Sequence, residues 1–104
     1  RTNKEETIET DGLKLFTNRN KVEFNDNEIK LTGKEYEILK LLMKNPDRIY
    51  TIEMIYEMVW DEVFTYNAKN TVMVHIKNLR NKLIKACGDA CIHTEWGRGY
   101  RFER

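Results

Sequence analysis

Three short alternations of apolar and polar residues open the readable part of the chain. They are Leu13-Lys-Leu-Phe16, Lys21-Val-Glu-Phe24 and Glu28-Ile-Lys-Leu31. Asn18-Arg19-Asn20 and Asn25-Asp26-Asn27 separate them. Period-two patterning broken by Asn and Asp clusters predicts an antiparallel meander with tight turns. Strands this short need another layer to lean on. The period changes at Thr32. Thr32-Gly33-Lys34-Glu35 reads as a capping box, in which hydroxyl and carboxylate each take the other residue's amide. Tyr36, Leu39, Leu42 and Met43 follow at helical spacing, widened by Ile38 and Leu41. Pro46 disfavours helical geometry at Asn45, so the helix is expected to end there. Ile49-Tyr50 reads as a brief extended link. Thr51 caps a second helix whose apolar face is Ile52, Ile55 and Val59, closed by Trp60. A loop, 61–67, leads to a third helix at 70–86. A hairpin pairing Ile92–Glu95 with Tyr100–Glu103 ends the chain.

The third helix has two unlike faces. At about 100° per residue from Ile76, Val72, Leu79 and Leu83 fall within roughly 60° and form a core stripe. Thr71, Val74, Asn78, Asn81 and Lys85 fall on the opposite side, flanked by Asn70, Lys77 and Lys82. This outer face carries amides and cations, no acid, and one apolar residue, Val74. An ordinary solvated face mixes both signs of charge. Amides that pair with base edges, cations that hold phosphates and a small apolar group for a thymine methyl are what a DNA major groove selects. In the hairpin, Gly97-Arg98-Gly99 sets an arginine where the backbone can approach a groove closely.

The element order is strands, three helices, hairpin. It predicts an α+β fold, a winged helix-turn-helix with an N-terminal small antiparallel sheet, a three-helix core and a C-terminal β-hairpin wing. Charge sharpens this only when the chain is divided. The whole carries a net +1. Residues 1–68 hold ten Lys and Arg against fourteen Asp and Glu, whereas residues 69–104 hold eight against three. The basic field therefore coincides with the third helix and the hairpin. At 104 residues the chain is one domain. It has no apolar run long enough for a membrane span. Residues 1–11 are polar apart from Ile8 and read as a linker tail from an upstream domain, with residues 12–104 as the folded unit.

Cys87 and Cys91 are the only cysteines. With His93 they offer three ligands, where a closed zinc site needs four, so no metal is expected. They read as two free loop thiols in a reducing cytoplasm, replaceable by Ser at little cost. Nothing points to an enzyme. The two histidines have no plausible nucleophile beside them, and the glycines of the hairpin precede no helix and cradle no phosphate. No cofactor is expected.

Four segments together resemble a known family. Leu31-Thr32-x-x-Glu35-Tyr36-x-Ile38-Leu39 is similar to the first-helix motif of OmpR/PhoB-type response regulators. Asn45-Pro46-Asp47-Arg48-Ile49-Tyr50-Thr51 resembles their following turn. Thr71-Val72-x-Val74-His75-Ile76-x-x-Leu79-Arg80-x-Lys82-Leu83 resembles their recognition helix, and Gly97-x-Gly99-Tyr100-Arg101-Phe102 the end of their wing. The resemblance covers about residues 12–104, in order. It implies the C-terminal DNA-binding domain of a two-component regulator, with an N-terminal four-stranded sheet and a separate receiver domain upstream. It further implies a dimer on DNA in the full-length protein. The loop Asp61, Glu62, Val63, Phe64, Thr65, Tyr66 and Asn67 corresponds to one linked in that family to RNA polymerase. The chain also departs from the family. Asn70 and Trp96 stand where Arg is frequent, Met73 where Asp is, and Ile52 where a basic residue is.

The expected function is sequence-specific binding of double-stranded DNA, with the third helix in the major groove and the wing, 92–103, at the minor groove. Asn78 is the candidate for adenine and Val74 for a thymine methyl. Asn70, Thr71, Lys77, Lys82, Thr94 and Arg98 complete the candidate contacts. Arg80 has two readings, a phosphate contact or a structural ion pair with a Glu. Trp60 either donates its indole N–H to a phosphate or lids the core. Trp96 either stacks on a sugar or covers the wing. His75 reads as an edge-packing residue. A winged helix that binds protein is the alternative function.

Overall fold

A computed structural model describes residues 6–104. Four antiparallel strands lead: β1 (Thr7–Thr10), β2 (Leu13–Phe16), β3 (Lys21–Phe24) and β4 (Asn27–Ile29), in the order β1-β2-β3-β4. Helices α1 (Gly33–Lys44), α2 (Ile52–Trp60) and α3 (Ala68–Cys87) follow. Strands β5 (Ile92–Glu95) and β6 (Gly99–Phe102) form a separate hairpin. This is the α+β winged-helix architecture that the element order predicts.

One correction concerns the tail. Thr7–Thr10 is not linker but the edge strand of the sheet, with Ile8 opposite Leu15. Residues 1–5 lie outside the described residues. The local signal was present in Asp11-Gly12, a pair suited to a two-residue hairpin turn. Both adopt positive φ, 46° and 89°. A second such turn at Asn25-Asp26, with φ of 50° and 69°, joins β3 to β4. Cross-strand partners Leu15, Val22 and Ile29 line up on the face that packs into the core, with Leu13 beside them.

The capping box at α1 forms as the sequence predicts. The Thr32 hydroxyl accepts from the Glu35 amide, and Glu35 Oε1 accepts from the Thr32 amide at 2.9 Å. Glu35 does more than cap. It is buried, and its Oε1 also accepts from Lys82 Nζ of α3 at 2.6 Å. Burial works hardest on this carboxyl and opposes its charge. The Lys82 ammonium and the Thr32 amide together outweigh burial and hold its pKa below the ordinary 4.5. Tyr36, on the next position, donates its hydroxyl to the Phe16 carbonyl and so fastens α1 to the sheet.

α2 starts at Thr51, whose hydroxyl accepts from the Met54 amide, and stops at Asp61 in the left-handed region. α3 runs 20 residues, begins two positions earlier than expected, and ends at Gly88 with φ 76°. Val72, Ile76, Leu79 and Leu83 are buried as their spacing requires. The hairpin is docked by backbone. Tyr50 and Tyr100 exchange both N–H···O bonds, at 2.8 and 2.9 Å, so the link before α2 pairs with β6. Gly99 makes this possible: a Cβ there would lie 2.1 Å from the Tyr50 carbonyl oxygen, and its φ is +144°.

The cysteine expectation also needs correcting. Both thiols are free, but Cys91 is fully buried in the core cluster rather than loose in a loop. Burial, with the Asp89 carboxylate adding to it, pushes its pKa to about 11. It is an inert packing residue, and replacing it with Ser places a hydroxyl in an apolar site.

Two outcomes follow from these contacts. Gly99→Ala is expected to lower stability by about 2–3 kcal/mol, a Tm drop of roughly 10–20 °C by calorimetry. Glu35→Gln keeps an acceptor for Thr32 but loses the ion pair, at a cost of about 1–2 kcal/mol near neutral pH, given that Lys82 is partly solvated. Because the folded carboxyl has a lowered pKa, its contribution is present above the unfolded value and lost as pH falls through the folded one. The stability gap between wild type and Glu35→Gln in urea titrations should therefore stay constant down to about pH 5 and close in more acidic buffer.

Candidate nucleic-acid interface

The exposed flank of α3 is built by its length. A helix of 20 residues reaches about 30 Å, and while Ala68, Val72, Ile76, Leu79 and Leu83 bury one side, the opposite side is left to solvent. Asn70, Val74, Lys77, Asn78, Asn81 and Lys85 are all exposed, at the spacing of one helical side. Thr71 is half-buried, and its carbonyl lies 2.7 Å from His75 Nδ1. The earlier helix start adds Lys69, which the sequence reading left outside the helix.

The remaining cations divide into engaged and free. Lys82 is turned inward to Glu35, a partner that its helical angle does not reveal. Arg80 is turned to the hairpin. Its Nη1 donates to the Thr94 hydroxyl at 2.8 Å and the Ile92 carbonyl at 3.3 Å, and its guanidinium lies 5.6 Å from the Tyr100 ring centroid. This corrects the reading of Arg80 as an ion pair with a Glu, since its partners within the fold are two neutral oxygens and a ring. It also occupies Thr94. Arg101 is surrounded by Glu95, Glu103 and Asp47. Lys69, Lys77, Lys85 and Arg98 have no carboxylate partner among the described residues.

The tip of the wing stands beside the first turns of α3. Arg98 donates its amide to the Glu95 carbonyl at 2.8 Å, closing the turn, and its side chain is exposed. Trp96 is 90% exposed, so it does not cover the wing. An open cleft of about 490 Å³ runs between these residues, α2's first turn and α3. Lys69, Met73, Phe64, Trp96 and Arg98 line it, with Glu53 on the far wall. α3 and the wing tip thus face one space.

Trp60 sits at the other side of α3. It is half-buried, stacked on Tyr56 at 5.2 Å and edge-on to His75 at 5.1 Å, with Lys34 Nζ 5.3 Å from its ring. These are the contacts of a lid, and His75 is the edge-packing residue that the helical angle predicts. The loop 61–67 is pinned from within. Tyr56 donates to Glu62, and the Phe64 amide to Glu57. Val63 and Tyr66 are left 81% and 87% exposed.

Comparison with known proteins places this geometry. A family model described as "Transcriptional regulatory protein, C terminal" matches residues 26–102. The chain belongs to that family, in its OmpR/PhoB-type branch. It is 45% identical over 100 residues to the uncharacterized transcriptional regulatory protein YrkP of Bacillus subtilis (strain 168), covering 94% of this chain and 43% of that protein. The DNA-binding domain of CpxR from E. coli superposes with a TM-score of 0.80 at 30% identity, over 93% of this chain and 95% of that one. The OmpR/PhoB homolog DrrB of Thermotoga maritima gives 0.77 at 29% identity, over 94% of this chain and 44% of that one. The OmpR/PhoB-type domain described here therefore spans less than half the length of the curated relatives it matches. No helix among its described residues is long and apolar enough to cross a membrane.

The division of cations has a direct check. Lys77→Ala should weaken DNA binding and make the slope of log K against log salt shallower by about one unit. Lys82→Ala should lower the Tm and leave that slope in place. Equal slope changes in the two variants would show that Lys82 leaves Glu35 to grip phosphate.

Proposed function

We propose that this OmpR/PhoB-type domain binds double-stranded DNA sequence-specifically as the output domain of a two-component response regulator. The observation that supports it best is the sorting of charge on α3 and the wing. Arg80 and Lys82 are engaged inside the fold, whereas Lys69, Lys77, Lys85 and Arg98, set around exposed amides, have no carboxylate partner among the described residues. A solvated surface has no reason to segregate its cations in this way. The domain resembles solved DNA-binding domains, including one described in complex with an intercistronic region, whose 21% identity speaks for the shared fold.

In this reading α3 enters the major groove. Asn78 pairs with an adenine edge, and Val74 meets a thymine methyl. Asn70, Thr71 and Lys77 hold the backbone, joined by Lys69 and Lys85. Arg98 enters the adjacent minor groove, where a guanidinium is drawn to the negative potential of A·T-rich sequence. Trp96 lies against the sugars. Trp60 keeps its lid role, with any phosphate contact through its indole N–H secondary. The exposed Val63 and Tyr66 in the loop 61–67 favour a protein contact on that side, for which RNA polymerase is the proposed partner. A phosphorylated receiver domain upstream, a dimer on DNA and a cytoplasmic setting complete the proposal.

The test begins with selection of a cognate duplex from random sequence. Asn78→Ala, on the solvent side of α3, should cost little stability but about 1–3 kcal/mol on that duplex, with preference relaxed at one base pair. Binding of the wild type should fall steeply with salt, at roughly −0.9 per phosphate for about four contacts. Affinity that does not change between low and moderate salt would sink the DNA reading. An equal loss on cognate and random DNA would move the base contact away from Asn78.

A further inference from the structure

The DNA reading needs two elements to arrive together, and they belong to different parts of the fold. α3 is bundled with α1 and α2, whereas the wing is a hairpin of its own. Ile92, Tyr100 and Phe102 of the wing pack into the shared core, and the Phe102 carbonyl accepts from the Asp47 amide at 2.9 Å. Two further polar connections bear on where the wing points. One is the Tyr50–Tyr100 backbone exchange described above. The other is Arg80. It leaves α3 about 40° from the core stripe, on the inner side rather than the outer one. Its guanidinium spans the first wing strand, bonding Ile92 O and Thr94 Oγ1, and lies over Tyr100 of the second. All three partners are neutral. Both hydrogen bonds leave one nitrogen, Nη1, toward neutral acceptors on another element, so the guanidinium supplies fixed geometry rather than charge neutralisation.

We propose that Arg80 is a positioning residue that locks the wing to α3, so that the major-groove and minor-groove contacts reach DNA as one rigid unit. The inference rests on the DNA reading but assigns Arg80 no contact with DNA. Thr94 shares the role as its acceptor. Arg98, three residues past the end of β5, is the group that the lock aims. Losing the lock frees the tip to swing over the cleft beside Met73. Affinity then falls through the lost minor-groove contact, although Arg98 itself is intact.

A double-mutant cycle separates this from a direct phosphate contact. Arg80→Met keeps the aliphatic stem and removes the guanidinium. On the selected duplex it should weaken binding by about tenfold, the size of one lost groove contact. In a background where Trp96 and Arg98 are both replaced by Ser, Arg80→Met should change affinity by less than about twofold, because the contact it positions is gone. Hydroxyl-radical protection of the minor-groove flank should disappear in Arg80→Met, while methylation protection in the major groove persists. A fold defect would instead weaken both protections together. Thr94→Val, which removes only the 2.8 Å acceptor, should show the same selective loss and serves if Arg80→Met folds poorly. The same factor lost in both backgrounds, or intact minor-groove protection in Arg80→Met, would overturn the proposal and leave the DNA reading standing. Failure of the wild type to bind in a salt-dependent way would overturn both.

Discussion

Where the wing stands is decided by two hydrogen bonds between the backbones of Tyr50 and Tyr100. The wing turns Ile92, Tyr100 and Phe102 into the core, but a lone hairpin of two short strands is marginal in water. By pairing with the link before α2, β6 gains a second partner and the hairpin becomes part of the domain. The pairing is possible only because the neighbouring residue lacks a Cβ. Gly99 lets the strand come against the Tyr50 carbonyl at a distance that any side chain would forbid. The same link carries Thr51, the cap of α2, so the start of that helix and the orientation of the wing are set at one place.

Onto this frame the sequence distributes its positive charge unevenly. Lys82 meets the carboxylate that already caps α1, and so ties the first helix to the third. Removing one partner from such a buried arrangement leaves the other uncompensated, and this is what makes the site costly to disturb. Arg80, two residues earlier, is used toward the wing. What remains on the outer side of α3 is a set of cations with no internal obligation. In the proposed reading, binding strength and architecture fall to different residues of one helix.

Much of this was legible because it is local. The capping box at Thr32 and Glu35, the stop at Asn45-Pro46 and the core stripe of α3 depend on residues within a turn or two of one another, and each formed as read. The family motifs added the order of elements. What escaped was set at longer range. Whether Lys82 and Arg80 face DNA or the fold depends on Glu35 and on β5, which are distant in sequence, and helical angles alone cannot see either. Cys91 looked like a loop residue because Gly88 and Asp89 surround it, yet a left-handed φ of 64° turns it into the core. Thr7–Thr10 was missed for the opposite reason. Its Asp11-Gly12 turn signal is local and plain, but one apolar residue in the strand was too little to outweigh the polar composition.

The last residue gives the fold a property that its topology alone does not suggest. Arg104 reaches back across the sequence to the Asp11 carbonyl, at 3.3 Å through both Nε and Nη2, and lies 4.9 Å from the Phe24 ring. The first hairpin turn and the end of the described chain are thereby clasped. Arg104 lies only two residues beyond β6, so the clasp closes the fold on itself: the turn that opens the first sheet is held to the segment that leaves the wing.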